Sequence, residues 1–171
     1  MAGATMVPGH SPAAEKVISA ALVHTRENFD FVANASLEVA WPLFGAERER
    51  LWAPGWDPVF LWPRMPSDQS GTVFTIAHGD TTAIWVTTAF DEADKTRVQY
   101  AYVIPDVLVT LITLKLTPAG KSTLVAVTYE RTALTTAANE AVSKMAARDR
   151  LAGPEWGGQI NDYLKRQAID K

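Results

Sequence analysis

The chain has 171 residues, 47% of them hydrophobic and 20% charged, with a formal charge of −3 and a pI near 5.6. That is enough chain to bury a core without staples, and it offers no basic surface for nucleic acid or an anionic membrane. There is no cysteine, which excludes disulfides, thiol catalysis and cysteine-held metals and agrees with a reducing, cytoplasmic setting.

Residues 1–13 are small and punctuated by proline and glycine, so they read as a flexible N-terminal segment ahead of one domain over 14–171. The apolar run Val17 to Val23 is too short to cross a bilayer and lacks the basic lead of a secretory signal. Phe29-Asp30-Phe31-Val32 predicts a first strand. Ser36 is placed to cap a short helix carrying Glu38 in its first turn, with Val39, Leu43 and Phe44 buried and a bend or end at Pro42. Gly45 separates it from a second short helix, 46–52, whose Glu47, Arg48, Glu49 and Arg50 read as a solvated face. Next comes Trp52-Ala53-Pro54-Gly55-Trp56-Asp57-Pro58, too aromatic for an ordinary loop and too interrupted for a helix. Two prolines fix φ and one glycine permits a sharp turn, so this is a rigid elbow. Its tryptophans either close the end of the core or face a ligand.

From Gly71 the hydrophobic period is two. Strands are predicted over 72–78, 82–90, 96–103, 107–116 and 123–132, joined by short breaks of turn residues that force an antiparallel meander. Leu134, Ala138, Val142, Met145 and Ala146, then Trp156, Ile160, Tyr163 and Leu164, recur at helical spacing. They predict a long C-terminal helix broken at Gly153-Pro154, or two helices. The fold class is α+β.

Alternation assigns faces. Arg97 and Gln99 mark solvent, so Val98, Tyr100 and Tyr102 point inward. Leu108, Thr110, Ile112 and Leu114 follow, as do Val125, Val127 and Tyr129, although Arg131 falls on the same inward register. On the 82–90 strand, Ile84, Val86 and Phe90 are taken as inward, leaving Trp85 outside as a contact surface. His78 shares a face with Phe74 and Ile76 at its strand's end. It is either a polar cap at the sheet edge or a proton-transfer group aimed inward, with Asp80 two residues on. No complete nucleophile, dinucleotide or phosphate-loop motif is present, and His24 with Glu27 is too common a spacing for a metal site. The expectation is no metal and no cofactor.

Particular residues carry a resemblance. They are Phe29-Asp30-Phe31-Val32-Ala33-Asn34-Ala35-Ser36, Val39-Ala40-Trp41-Pro42-Leu43-Phe44, the stretch from Glu49 to Pro58, and Ile160-Asn161-Asp162-Tyr163-Leu164. In this order they resemble the START/Bet v 1-like (SRPBCC) superfamily, and within it the bacterial polyketide cyclase/dehydrase-like proteins. The resemblance implies a helix-grip fold. A curved antiparallel sheet of six to seven strands surrounds a long C-terminal helix, with two short helices after the first strand and a cavity between sheet and helix. That superfamily includes lipid and hormone carriers, aromatase/cyclases and relatives of the Hsp90 ATPase activators, and it shares no catalytic set.

The expected function is therefore binding of a small hydrophobic or amphipathic molecule in the cavity. Its expected lining is Trp52, Trp56, Phe74, Ile76, His78, Ile84, Val86, Tyr100, Tyr102, Ile112, Trp156 and Ile160. One alternative is cyclase-like acid–base chemistry with His78 and Tyr100 as candidate catalytic residues. Another is an Hsp90-activator-like protein-binding domain that uses Trp85. Neither nucleic-acid binding nor stable membrane insertion is expected.

Overall fold

The computed structural model describes residues 21–169. The N-terminal segment 1–13, with His10, and most of the apolar run 17–23 lie outside the described residues. The chain enters through β1 (His24–Ala33), whose second half turns Phe29, Phe31 and Ala33 into the core. Then come α1 (Leu37–Ala40) and two single 3₁₀ turns, Trp41–Phe44 and Arg48–Leu51. Pro42 contributes no N–H, and the coil tightens at that point. Ser36 occupies the N-cap position without a side-chain hydrogen bond. Val39, expected inside, is exposed. A one-turn helix has no second turn to continue its apolar stripe, and Trp41 takes the buried place by stacking on Phe90 at 4.3 Å.

The remaining strands are β2 (Val59–Trp62), β3 (Val73–His78), β4 (Thr81–Asp91), β5 (Asp94–Ile104), β6 (Leu108–Ala119) and β7 (Ser122–Ala133). They form one curved sheet in the order β1-β7-β6-β5-β4-β3-β2, antiparallel at every pairing. The meander predicted from short turns is present, and β1 returns to pair with β7.

Two helices, α2 (Asn139–Asp149) and α3 (Gly153–Ile169), complete the chain. The break falls at 150–152, just ahead of the predicted place. Pro154 belongs to the first turn of α3, where a missing N–H breaks no helical bond. Gly153 brings α3 so close to β1 that a Cβ there would stand 2.7 Å from the Asp30 carbonyl oxygen. Asn161 then ties α3 to the end of β1. Its Oδ1 accepts the Asn34 N–H at 2.8 Å, and its Nδ2 donates to the Val32 carbonyl at 2.8 Å. Val142, Ala146 and Ile160 are the buried apolar positions of the two helices.

β4 corrects the face assignment. Ala83, Trp85 and Thr87 are buried, whereas Ile84 is 43% exposed and Val86 lies on the same outer face. Phe90 is nevertheless buried as expected. The pairing with β5 runs Thr87 to Tyr100 and then Ala89 to Gln99, which leaves Thr88 as an extra residue. That β-bulge inverts the parity between Trp85 and Phe90. Counting through it by strict alternation from Phe90 therefore puts Ile84, Val86 and Trp85 on the wrong sides. Among the described residues, no helix is long and apolar enough to cross a membrane.

Candidate functional site

The elbow is held from behind. Trp52 Nε1 donates to the Leu43 carbonyl at 2.6 Å, and Trp56 Nε1 donates to the Ala46 carbonyl at 2.6 Å. Arg50 staples the outside by donating to Asp57, to the Pro58 carbonyl and, at 2.9 Å, to Glu47. Gly55 makes the turn at φ +78°, a conformation open to glycine. Both indole N–H groups are thus committed to backbone, and only ring surface remains to face inward. Trp52 meets Trp156 of α3 edge to face at 5.7 Å, and Trp56 meets Trp85 of β4 likewise at 5.1 Å.

Between these corners lies a cavity of about 310 Å³. Trp85, Tyr100, Ile112, Leu114 and Tyr129 of the sheet form its floor, and Trp52 and Trp56 form one wall. On the far side Trp156 of α3 closes it, with Glu155 and Gln159 beside Pro54 and Gly55 at the mouth. The volume is at the lower end of the range typical of small-molecule sites.

One carboxyl group enters this aromatic box. Glu49, expected on a solvated face, is only 4% exposed and lines the cavity. It accepts no side-chain hydrogen bond among the described residues. Burial, and then the negative charge of Asp68, raise its pKa well above the ordinary value. Glu49 therefore holds its proton where an exposed carboxyl has lost it. The turn that carries it is firmly set. Glu49 N–H donates to the Gly45 carbonyl at 2.9 Å, and Asp68 Oδ1 accepts the Glu47 N–H at 2.8 Å. A signal for this burial was available. A 3₁₀ turn repeats every three residues, which stacks Ala46, Glu49 and Trp52 on one face, and all three are buried.

Tyr100 is 2% exposed, and its hydroxyl donates to the Phe44 carbonyl. Burial, then Glu49 and Asp68, raise its pKa well above the ordinary value. Tyr129 is raised too, by burial first. Neither phenol is a base at neutral pH.

Arg131, the charge on an inward register, is buried and fully engaged. Its Nε and Nη2 donate to Asp149 at 2.6 and 2.8 Å, and its Nη1 donates to Thr110 at 3.0 Å and to Tyr102. Its guanidinium also lies over the Tyr129 ring at 4.6 Å. Burial acts to lower the guanidinium pKa, but the bonds to Asp149 and the field of Tyr102 outweigh it and raise the value.

Of the residues expected to line the site, Trp52, Trp56, Tyr100, Ile112 and Trp156 are brought together around the cavity. Phe74 sits behind them, against Trp56, Trp85 and Tyr100. Tyr102 stacks on Trp85 at 4.2 Å, away from the lining. Ile160 is buried in the core instead, and Ile76 is half-buried outside the cavity. Ile84 and Val86 face out behind the bulge. His78 is exposed at the end of β3, paired with Thr81 across a tight turn, so it does not reach the cavity. β3 runs past the cavity before it ends. Leu114 and Tyr129 line the cavity from the inward face that alternation assigned them, Trp85 lines it although it was expected outside, and Glu49 is the most consequential addition.

No family model and no curated protein sequence matches the chain. Solved structures do. Norcoclaurine synthase from Thalictrum flavum, in complex with dopamine and hydroxybenzaldehyde, is 12% identical with a TM-score of 0.60, over 99% of this chain and 98% of that one. Ara h 8.0201 is 11% identical with a TM-score of 0.59, over 84% and 99%. The Mll3558 protein from Rhizobium loti is 15% identical with a TM-score of 0.57, over 84% and 99%. At such identities the likeness is one of fold. A seven-stranded curved antiparallel sheet, short helices after the first strand and a C-terminal helix closing a cavity give this chain the helix-grip fold of the START/Bet v 1-like proteins.

Proposed function

We propose that the protein binds a small hydrophobic or amphipathic molecule in the cavity between the elbow, the sheet and α3. The observation that carries this reading is the cavity itself. Six aromatic side chains surround about 310 Å³ with one buried carboxyl among them. Rings held edge to face cannot collapse onto one another, and a mainly apolar concavity with a few placed polar groups is the usual form of a ligand site. The fold-level neighbours lend support, since one of them was solved with two small aromatic molecules.

Native mass spectrometry of protein purified from its own host, followed by organic extraction, tests the reading. A stoichiometric small molecule lost on Trp52→Ala or Trp56→Ala substitution is the expected result. An empty protein whose tryptophan fluorescence ignores every apolar probe would overturn it.

A second reading is acid–base catalysis on the bound molecule, and Glu49 favours it. A carboxyl that keeps its proton inside a dry pocket is able to protonate a bound oxygen or nitrogen. Binding ranks first because it needs only one such anchor, and Asp68, the carboxyl whose charge acts on Glu49, does not line the cavity. His78 is too far along β3 to serve, and Tyr100 is tied to the Phe44 carbonyl. The protein-docking alternative loses one of its two motives, because Trp85 lies inside the core, and keeps only the resemblance to Hsp90-activator relatives.

A further inference from the structure

We propose that the molecule this cavity selects is an organic cation, an ammonium attached to an apolar body, with Glu49 as its charge partner and the tryptophan faces as its walls. This deepens the binding reading above and rests on it. The charges of the lining are Glu49 inside and Glu155 at the mouth, and among the described residues no lysine, arginine or histidine lines the cavity. An anionic ligand would meet two carboxyl groups and no donor cation. The indole N–H groups of Trp52 and Trp56 are spent on the Leu43 and Ala46 carbonyls, so these walls offer π faces without donors. Such faces attract a cation through the ring quadrupole, and more strongly where water is excluded. The corners make a box. Trp52 and Trp156 meet at 65°, Trp56 and Trp85 at 77°, and Tyr129 and Trp156 at 85°.

Glu49 is the independent observation that points to a ligand. It is nine-tenths buried and more, it enters the cavity, and its carboxyl has no hydrogen-bond partner among the described residues. Arg131, the buried cation on the same side of the sheet, is already paired with Asp149 and bonded to Tyr102 and Thr110. An inorganic cation fits poorly, because no three metal-ligating side chains converge among the described residues. An ammonium supplies the missing charge and donors at once. When it enters, Glu49 gives its proton to solvent and becomes the carboxylate, while the ammonium keeps its own proton. Burial and Asp68, before β3, act on this titration, and the other titratable groups of the lining are Tyr100 on β5, Tyr129 on β7 and Glu155 on α3.

The test uses three probes with one skeleton, 3-phenylpropylamine, 3-phenylpropanol and 3-phenylpropionate, titrated into the full chain by tryptophan fluorescence and calorimetry. At pH 8 the amine is expected to bind at least about tenfold more tightly than the alcohol, and the carboxylate not at all. Amine binding should weaken as pH falls and Glu49 takes up its proton, while alcohol binding stays flat. In Glu49→Gln the amine's advantage over the alcohol should vanish. If that variant fails to fold, the amine-to-alcohol ratio and the pH profile of the unaltered protein decide alone. An alcohol that binds as tightly as the amine, or amine binding that does not weaken as pH falls, overturns the cation assignment and leaves cavity binding standing. Silence from all three probes overturns cavity binding itself.

Discussion

Two buried charged sites sit on the same face of one sheet and are treated oppositely. On one side, Arg131 of β7 is met by a bidentate Asp149 of α2 and by the hydroxyls of Tyr102 and Thr110. On the other, Glu49 stands among tryptophans with no side-chain partner among the described residues. A buried ion is tolerated when its lone pairs and protons are matched, and is otherwise neutralised by a shift in pKa. The Arg131 site has the first solution and holds β5, β6 and β7 to α2. The Glu49 site has the second, and keeps a reactive group at the cost of stability. The difference separates a charge that builds the fold from one left available to a ligand.

The largest effect should come from making the matched site resemble the unmatched one. Asp149→Ala leaves the Arg131 guanidinium buried and uncompensated, and should cost about 3–5 kcal/mol in chemical denaturation. A loss under about 1 kcal/mol would mean that water reaches Arg131 and that the two sites do not differ in kind.

Trp156→Ala asks how far the cavity wall is also core. The ring packs on Phe29, Phe31, Trp52 and Tyr129, yet it is only half-buried because it also faces the cavity. The expected loss is about 2–3 kcal/mol, less than for a fully enclosed tryptophan. A value near 5 kcal/mol would argue that the cavity is filled by packing in solution.

Glu49→Gln should act with the opposite sign. The folded-state pKa of Glu49 is raised above its ordinary value near 4.5. Below that value both states hold the proton, and the carboxyl costs nothing extra. As pH rises past it, the unfolded chain releases its proton while the folded chain keeps it, so the unaltered protein loses stability until the raised folded-state value is passed. The variant should be more stable at pH 8 by about 1–2 kcal/mol and no more stable near pH 4. Melting temperatures at the two pH values check this, and equal gains at both would place Glu49 in solvent.

The smallest effect belongs to His78→Ala. An exposed strand-end residue outside both sites should change stability by less than about 0.5 kcal/mol and leave probe binding unaltered. Loss of binding would put β3 back at the cavity.

Much of the architecture was legible because it follows from local periodicity. Period two from residue 72 onward and helical spacing after Leu134 named the strands of the meander and the C-terminal helices to within a few residues. The elbow was legible from its prolines, glycine and tryptophans. The candidate site was legible only in part. Trp52, Trp56, Tyr100, Ile112 and Trp156 come from faces that alternation or helical phase assigns correctly. Trp85 does not, because one bulge residue, Thr88, reverses parity and nothing in Thr87-Thr88-Ala89 announces it. Glu49 was hidden by its charged neighbours Glu47, Arg48 and Arg50, which belong to the exterior.

By itself, then, the sequence determined what depends on short-range repetition: the kinds of element, their order, and the antiparallel meander that brief turns compel. Tertiary structure alone decided which charges are buried and whether they are matched. A carboxyl's pKa and a guanidinium's partners depend on groups far apart in the chain, Asp68 beside Glu49 and Asp149 beside Arg131. The Coulomb and desolvation energies that set them exist only once folding has removed the water between those groups.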